Sequence, residues 1–213
     1  SQSDRTVINI AGLLTPFMVL NKVSEETLAK VQTSVDKNTL NIRKIAYYNE
    51  KLEQYTRRDN LRLFNFPLCD DSQLRGKFIE LAALLGVHLQ PYDINIIHRL
   101  SANERSQAVI VRFNNRKLRN DLLYAKKAPL NVPGSCFKGV FIQEDLTPQR
   151  SKLFKFLKNH QNTDKIQTND GRLRVILKED RGAGVRVALD NPDDLFKVGI
   201  DSFDITQFGF IDM

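Results

Sequence analysis

Cysteine is scarce in this chain: two residues among 213, Cys69 and Cys136, far apart, with no CxxC pairing and no histidine at ligand spacing. That argues against a disulfide scaffold or a zinc site and leaves two free thiols in a reducing compartment. Long apolar runs are missing as well. The stretch from 7 to 20 contains Asn9, Thr15 and Pro16 and is too short to span a bilayer. It also lacks the basic start and small-residue cleavage site of a signal peptide. No Walker loop, HExxH, GxSxG or paired-carboxylate spacing occurs, so no catalytic residue, metal or cofactor is expected. His88, His98 and His160 stand apart from the cysteines and from one another and read as structural. The expectation is an intracellular, soluble protein of the cytoplasm or nucleus that is not an enzyme.

What is present is basic charge, unevenly spread. The formal net charge is +7, yet residues 1–59 hold nine basic and seven acidic side chains, 60–140 twelve and six, and 141–213 eleven and twelve. The middle carries the excess, and such a footprint points to a polyanionic partner. With 41% hydrophobic residues the chain is not disordered, and its length suits one or two compact domains plus an appendage.

The appendage is legible as a heptad seam. Leu28, Val35 and Ile42 fall at position a and Val31, Ile45 and Leu52 at position d, while Asn38 and Asn49 continue the register as polar insertions. Such a pattern predicts a self-associating coiled coil over 23–59, the asparagines lowering stability while fixing register and oligomer number. Ser24, with Thr27 three residues on, suits a helix start, and Asp59-Asn60 suits its end. Residues 1–22 form a separate apolar segment of undetermined role.

Between 60 and 144 the pattern reads strand, helix, strand, strand, helix, strand. Residues 61–66 alternate and stop at Pro67; Ser72 caps a helix with Leu74, Phe78, Leu81, Ala82 and Leu85 at helical spacing, stopped at Gly86. Runs at 93–100 and 107–113 flank a polar turn at 101–106; 115–127 is helical, and 139–143 supplies a last strand. The order is a split-βαβ, ferredoxin-like plan. A smaller α+β domain follows at 145–200, with Thr147-Pro148 opening a helix and Asn169-Asp170-Gly171 marking a hairpin. Arg181-Gly182-Ala183-Gly184 makes a second turn, Asn191-Pro192 caps a final short helix, and 201–213 is a tail.

Three segments carry a resemblance: Leu52-Glu53-Gln54-Tyr55-Thr56-Arg57-Arg58-Asp59-Asn60-Leu61, Ile97-His98-Arg99-Leu100, and Glu144-Asp145-Leu146-Thr147-Pro148. Together they resemble the retroelement-associated group that contains the first open-reading-frame proteins of LINE-type retrotransposons and the baculovirus few-polyhedra proteins. The resemblance implies a coiled coil, a noncanonical RNA-recognition domain and a small C-terminal domain in a viral or retrotransposon ribonucleoprotein. It further implies RNA coating and nucleic-acid chaperone activity. In the retrotransposon members the arginine of an Ile-Val-Arg-Phe strand contacts RNA, and that pattern stands here as Ile110-Val111-Arg112-Phe113. Those proteins trimerise, but one version of their trimer signature is absent from 28–52, so trimer and dimer both stay open.

The proposed partner is single-stranded RNA, with single-stranded DNA the alternative. Strand alternation puts Arg62 where RNA-recognition sheets usually carry a stacking aromatic, with Ala108 and Ile110 at two further such positions. Arginine in that place grips phosphate or stacks on a base, which lowers sequence selectivity without removing affinity. Around it, Arg99, Arg105, Arg112, Arg116, Lys117 and Arg119 lead to Lys126, Lys127 and Lys138, nine cations against Glu104 and Asp121. Arg116, Lys117 and Arg119 sit at a helix start, where cations oppose the macrodipole and ask for an anion. Arg172 and Arg174 offer a weaker clamp from the C-terminal hairpin, and Phe64 and Phe141 are candidate stacking platforms. A competing reading is a viral structural or trafficking protein that works through protein contacts, in which Arg62 and Arg112 are dispensable.

Overall fold

The structure, a computed structural model, describes residues 10–100, 107–125, 130, 133–178, 186–190 and 192–200. Arg105 and its turn, Lys126, Lys127, the turn at 181–184, Asn191 and the tail lie outside the described residues. The described part is mixed α+β: a long N-terminal helix and two antiparallel sheets. By internal packing it divides into Ser1–Asn49 and Glu50–Met213.

Helix α1 runs Ile10–Thr56, so it does not begin at Ser24. The hydroxyls that suggested a start are absorbed inside the helix: Thr27 Oγ1 donates to the Val23 carbonyl at 2.8 Å, and Thr33, Ser34 and Thr39 do the same four residues back. Back-bonding of this kind satisfies the side chain without capping anything. From 18 to 49 every side chain except Tyr47 is exposed. The seam residues Leu28, Val31, Val35, Ile42 and Ile45 are thus apolar surface on a single helix.

In the second unit, the strands β1 Asn60–Phe64, β2 Ile94–Arg99, β3 Val109–Phe113 and β4 Phe141–Glu144 form one sheet in the order β2-β3-β1-β4, all neighbours antiparallel. Helices α2 Asp71–Leu84 and α3 Arg116–Tyr124 fall between β1 and β2 and between β3 and β4. Strict alternation builds the core. Leu61 and Leu63 of β1 and Val109, Val111 and Phe113 of β3 point to one face and join Leu74, Phe78, Leu81 and Ala82 of α2 and Leu122 of α3. Phe78 meets Phe113 edge-on with ring centroids 5.9 Å apart. Burying each such side chain contributes roughly 1.5–3 kcal/mol.

The first residue of α2 is Asp71 rather than the position after Ser72: Asp70 is the N-cap, and Asp71 places a carboxylate in the first turn, where the dipole favours it. Gly86 ends the helix as expected, at φ +78°, with its N–H on the Ala83 carbonyl and the Val87 N–H on that of Ala82.

A second apolar cluster begins at Leu146. Helix α4, Pro148–Asn159, packs Leu153 and Leu157 against a sheet ordered β5 Thr163–Asn169, β6 Arg172–Leu177, β7 Val187–Leu189. Thr147 is the α4 N-cap, its hydroxyl accepting the Arg150 N–H, with Pro148 in the first turn. Asp170 and Gly171 join β5 to β6 with φ of +51° and +76°, the type I′ geometry that an Asp-Gly pair favours. The last helix is 3-10, Pro192–Val198. Among the described residues no helix is long and apolar enough to cross a membrane.

Candidate nucleic-acid interface

The sheet face opposite the core is laid out by strand register. Ile96, Arg112 and Asn60 form one cross-strand row; His98, Ile110, Arg62 and Gln143 form the next; Phe64 and Phe141 close the face. Phe64 and Phe141 lie side by side with ring centroids 6.4 Å apart, Phe64 half-buried and Phe141 56% exposed. Neither belongs to the core cluster. The aromatic surface of this sheet therefore sits on β1 and its edge neighbour β4, and the centre of the face is aliphatic and polar.

Arg62 occupies the expected central position but is already engaged. Its Nε lies 2.6 Å from Oδ1 of Asp145, a carboxylate with 1% exposure. Arg57 approaches the same carboxylate at 3.2 Å, and Asn60 Nδ2 donates to it at 2.9 Å. Arg57 also pairs with Glu53 at 2.6 Å. Two guanidiniums thus face two carboxylates, and a phosphate reaching Arg62 meets a site that an internal anion already fills. Arg112 differs: it is exposed and has no carboxylate partner among the described residues.

The other cations separate by burial. Arg119 was expected at the surface, and that reading is corrected: its side chain is 1% exposed and lies 2.9 Å from Glu144, equally buried. Arg99 is half-buried and donates to the carbonyls of Pro67 and Cys69 at 2.9 and 3.2 Å, which ties β2 to the chain after β1. Arg116 lies 3.6 Å from Asp59 and 3.9 Å from Asp170, and Lys117 3.4 Å from Asp121. The cations at the start of α3 therefore have internal counterions, and their opposition to the macrodipole does not by itself call for an outside anion. Lys138 is exposed, and Arg172 is loosely paired with Asp190 at 3.5 Å. Arg174 lies on β6; partial burial, Glu144 and Asp170 raise the pKa of the Tyr124 phenol, and the charges of Arg119 and Arg174 oppose the rise.

Sequence reasoning missed a buried polar network. Glu50 accepts from Arg150 Nε at 2.7 Å and Nη2 at 2.9 Å and from the Thr147 hydroxyl at 2.7 Å. Gln54 donates to the Asp145 carbonyl and accepts the Thr147 N–H, both at 2.9 Å. The hairpin tip completes it: the N–H groups of Asp170 and Gly171 donate to the Glu144 carboxylate, and the Gly171 carbonyl accepts from Arg150 at 2.7 Å. A Cβ on Gly171 would lie 2.5 Å from Gln54 Cγ. Glu50 and Gln54 are polar residues beside the heptad seam, where a solvated face is the ordinary reading; the signal available was that Gln54, Arg57, Asp145 and Thr147, which bond to one another, all lie in segments that carry the resemblance. The chain matches no protein-family model, and no curated protein is significantly similar to it.

Proposed function

We propose that this chain binds single-stranded nucleic acid, RNA before DNA, as a weakly sequence-selective coat and chaperone protein of a retroelement or insect virus, assembled through the coiled coil of α1. In this reading residues 60–144 are an RNA-recognition domain of ferredoxin-like plan. The chain order β1-α2-β2-β3-α3-β4 and the strand order β2-β3-β1-β4 support it.

The single observation that carries the reading is the open sheet face, which bears both the exposed guanidinium of Arg112, without a carboxylate partner among the described residues, and the aromatic row of Phe64 and Phe141. A strand of nucleic acid uses both: phosphate on the arginine, bases on the rings. With Arg62 held by Asp145, affinity rests on few charges per chain. Oligomerisation through Leu28, Val31, Val35, Asn38, Ile42, Ile45, Asn49 and Leu52 then multiplies weak modules along one strand.

The test is binding of labelled single-stranded RNA, single-stranded DNA and duplex across a salt series, with mass measured by light scattering. Affinity for single strands that falls steeply with salt supports the reading. Affinity insensitive to salt removes the phosphate contacts. Exposed Phe141 and Ile96 on the same face favour protein docking as the second reading, and absence of nucleic-acid binding would leave that one standing.

A further inference from the structure

The net charge of residues 141–213 is close to zero, yet α4 taken alone is strongly basic. From 146 to 163 there is no aspartate or glutamate, while Arg150, Lys152, Lys155 and Lys158 all fall within the helix. Arg150 turns inward beside Leu153 and Leu157, and Glu50 neutralises it. Lys152, Lys155 and Lys158, at i, i+3 and i+6, are exposed and share the side opposite that core. The other helices of the second unit balance lysines locally: Lys77 of α2 lies 2.9 Å from Glu80, and Lys117 of α3 lies 3.4 Å from Asp121. None of the three outward lysines of α4 has a carboxylate partner among the described residues.

The segment that follows Ile200 has the complementary composition. Residues 201–213 carry Asp201, Asp204 and Asp212, no lysine or arginine, and the large apolar side chains of Phe203, Ile205, Phe208, Phe210 and Ile211. The segment sets out from the core that α4 covers, because Ile200 is buried in the same apolar cluster as Leu153 and Leu157 and donates its N–H to the Leu195 carbonyl. Reach is ample. Its thirteen residues span up to about 43 Å when extended, whereas the twelve of α4 rise about 18 Å. Three extended residues cover about 10 Å and the six steps from Lys152 to Lys158 about 9 Å, so Asp201 and Asp204 are spaced for the two ends of the stripe. The lysine stems supply an apolar bed beneath the charges. Phe156, which packs against the apolar cluster, takes no part.

We propose that the lysine stripe of α4 is a docking surface for residues 201–213 of the same chain, an acidic and aromatic strap that lies along Lys152, Lys155 and Lys158. Exposed ion pairs are weak between separate molecules, but here the occupant is covalently attached and acts at the high effective concentration of a short tether. The strap shields the three lysines from outside polyanions and loosens as ionic strength rises.

The experiment uses the full chain and limited digestion with chymotrypsin, which cuts after aromatic residues such as Phe203, Phe208 and Phe210, with mass spectrometry to follow loss of the segment. A docked strap is cut in proportion to the fraction released. Lys152→Glu/Lys155→Glu/Lys158→Glu is expected to speed cleavage at those sites by about tenfold, the combined effect of three exposed pairs. The matched exposed triple Lys30→Glu/Lys37→Glu/Lys44→Glu on α1 is expected to leave the rate unchanged. Asp201→Lys/Asp204→Lys/Asp212→Lys also speeds cleavage, and joined to the reversed α4 stripe it restores the slow rate. A damaged fold gives no such rescue.

If the reversed stripe leaves cleavage unchanged, or the double reversal stays fast, the docking is overturned. Leu28→Asp/Val31→Asp/Ile42→Asp is expected to keep the slow rate, and that rate is expected to be independent of protein concentration. Fast cleavage in that variant, or slowing as concentration rises, assigns the strap to the stripe of a neighbouring copy and overturns docking within one chain.

Discussion

Helix α1 follows opposite rules on either side of Asn49. Before it, Leu28, Val31, Val35, Ile42 and Ile45 are apolar and exposed; after it, Glu50 and Gln54 are polar and buried. The first stretch carries exposed apolar side chains, and its hydroxyls bond four residues back within the helix. The last two turns bury little apolar surface and instead satisfy donors and acceptors separated from them by about ninety residues or more. One continuous helix thus presents exposed apolar side chains in one part and an internal hydrogen-bonding scaffold in the other.

The strongest way to break this contrast is Glu50→Ala. It strands the Arg150 guanidinium in a buried site, and a loss of about 3–5 kcal/mol is expected in urea unfolding of the second unit. Next comes Gly171→Ala, which combines a positive φ with a Cβ pressed on Gln54; about 2 kcal/mol is expected by the same measurement. Thr147→Ala removes the α4 cap and the hydroxyl bond to Glu50, with about 1–2 kcal/mol expected. The smallest effect on stability belongs to the other side of Asn49. Leu28→Asp, Val31→Asp and Ile42→Asp together should change unfolding of the second unit by less than about 0.5 kcal/mol, since all three are exposed. The same variant should give a single-chain mass and weaker RNA binding in light scattering and gel shift; an unchanged oligomeric mass refutes the seam.

The elements formed by alternation or by turn chemistry were legible in the sequence. Leu61 and Leu63 against Arg62 and Phe64 marked β1, although the strand begins at Asn60 and ends at Phe64 rather than running over 61–66, because Asn65 turns the chain at φ +56°; Asp170-Gly171 marked the β5–β6 hairpin. Local signals of this kind involve neighbours in sequence. The candidate site was less legible because charge was read without its counterions. Arg119 looked like a surface cation of an amphipathic helix, but its partner Glu144 is the last residue of β4, and nothing in either local pattern reveals the pairing. Arg62 was located on the correct face, yet Asp145 follows β4 and reaches it only once β1 and β4 are paired.

The Glu50, Gln54 and Gly171 arrangement also determines which pieces of this chain can be exchanged or expressed alone. The apolar clusters divide near residue 145, and a boundary there looks natural. Yet the β5–β6 tip depends on Glu144, and α4 depends on Glu50. A recombinant fragment starting at 60 would leave Arg150 and the Thr147 N–H without their buried partners, whereas one starting at 48 keeps them. For the same reason a C-terminal domain transplanted between related chains has to bring residues 50–62 with it, so the heptad seam can be replaced at will only up to Asn49.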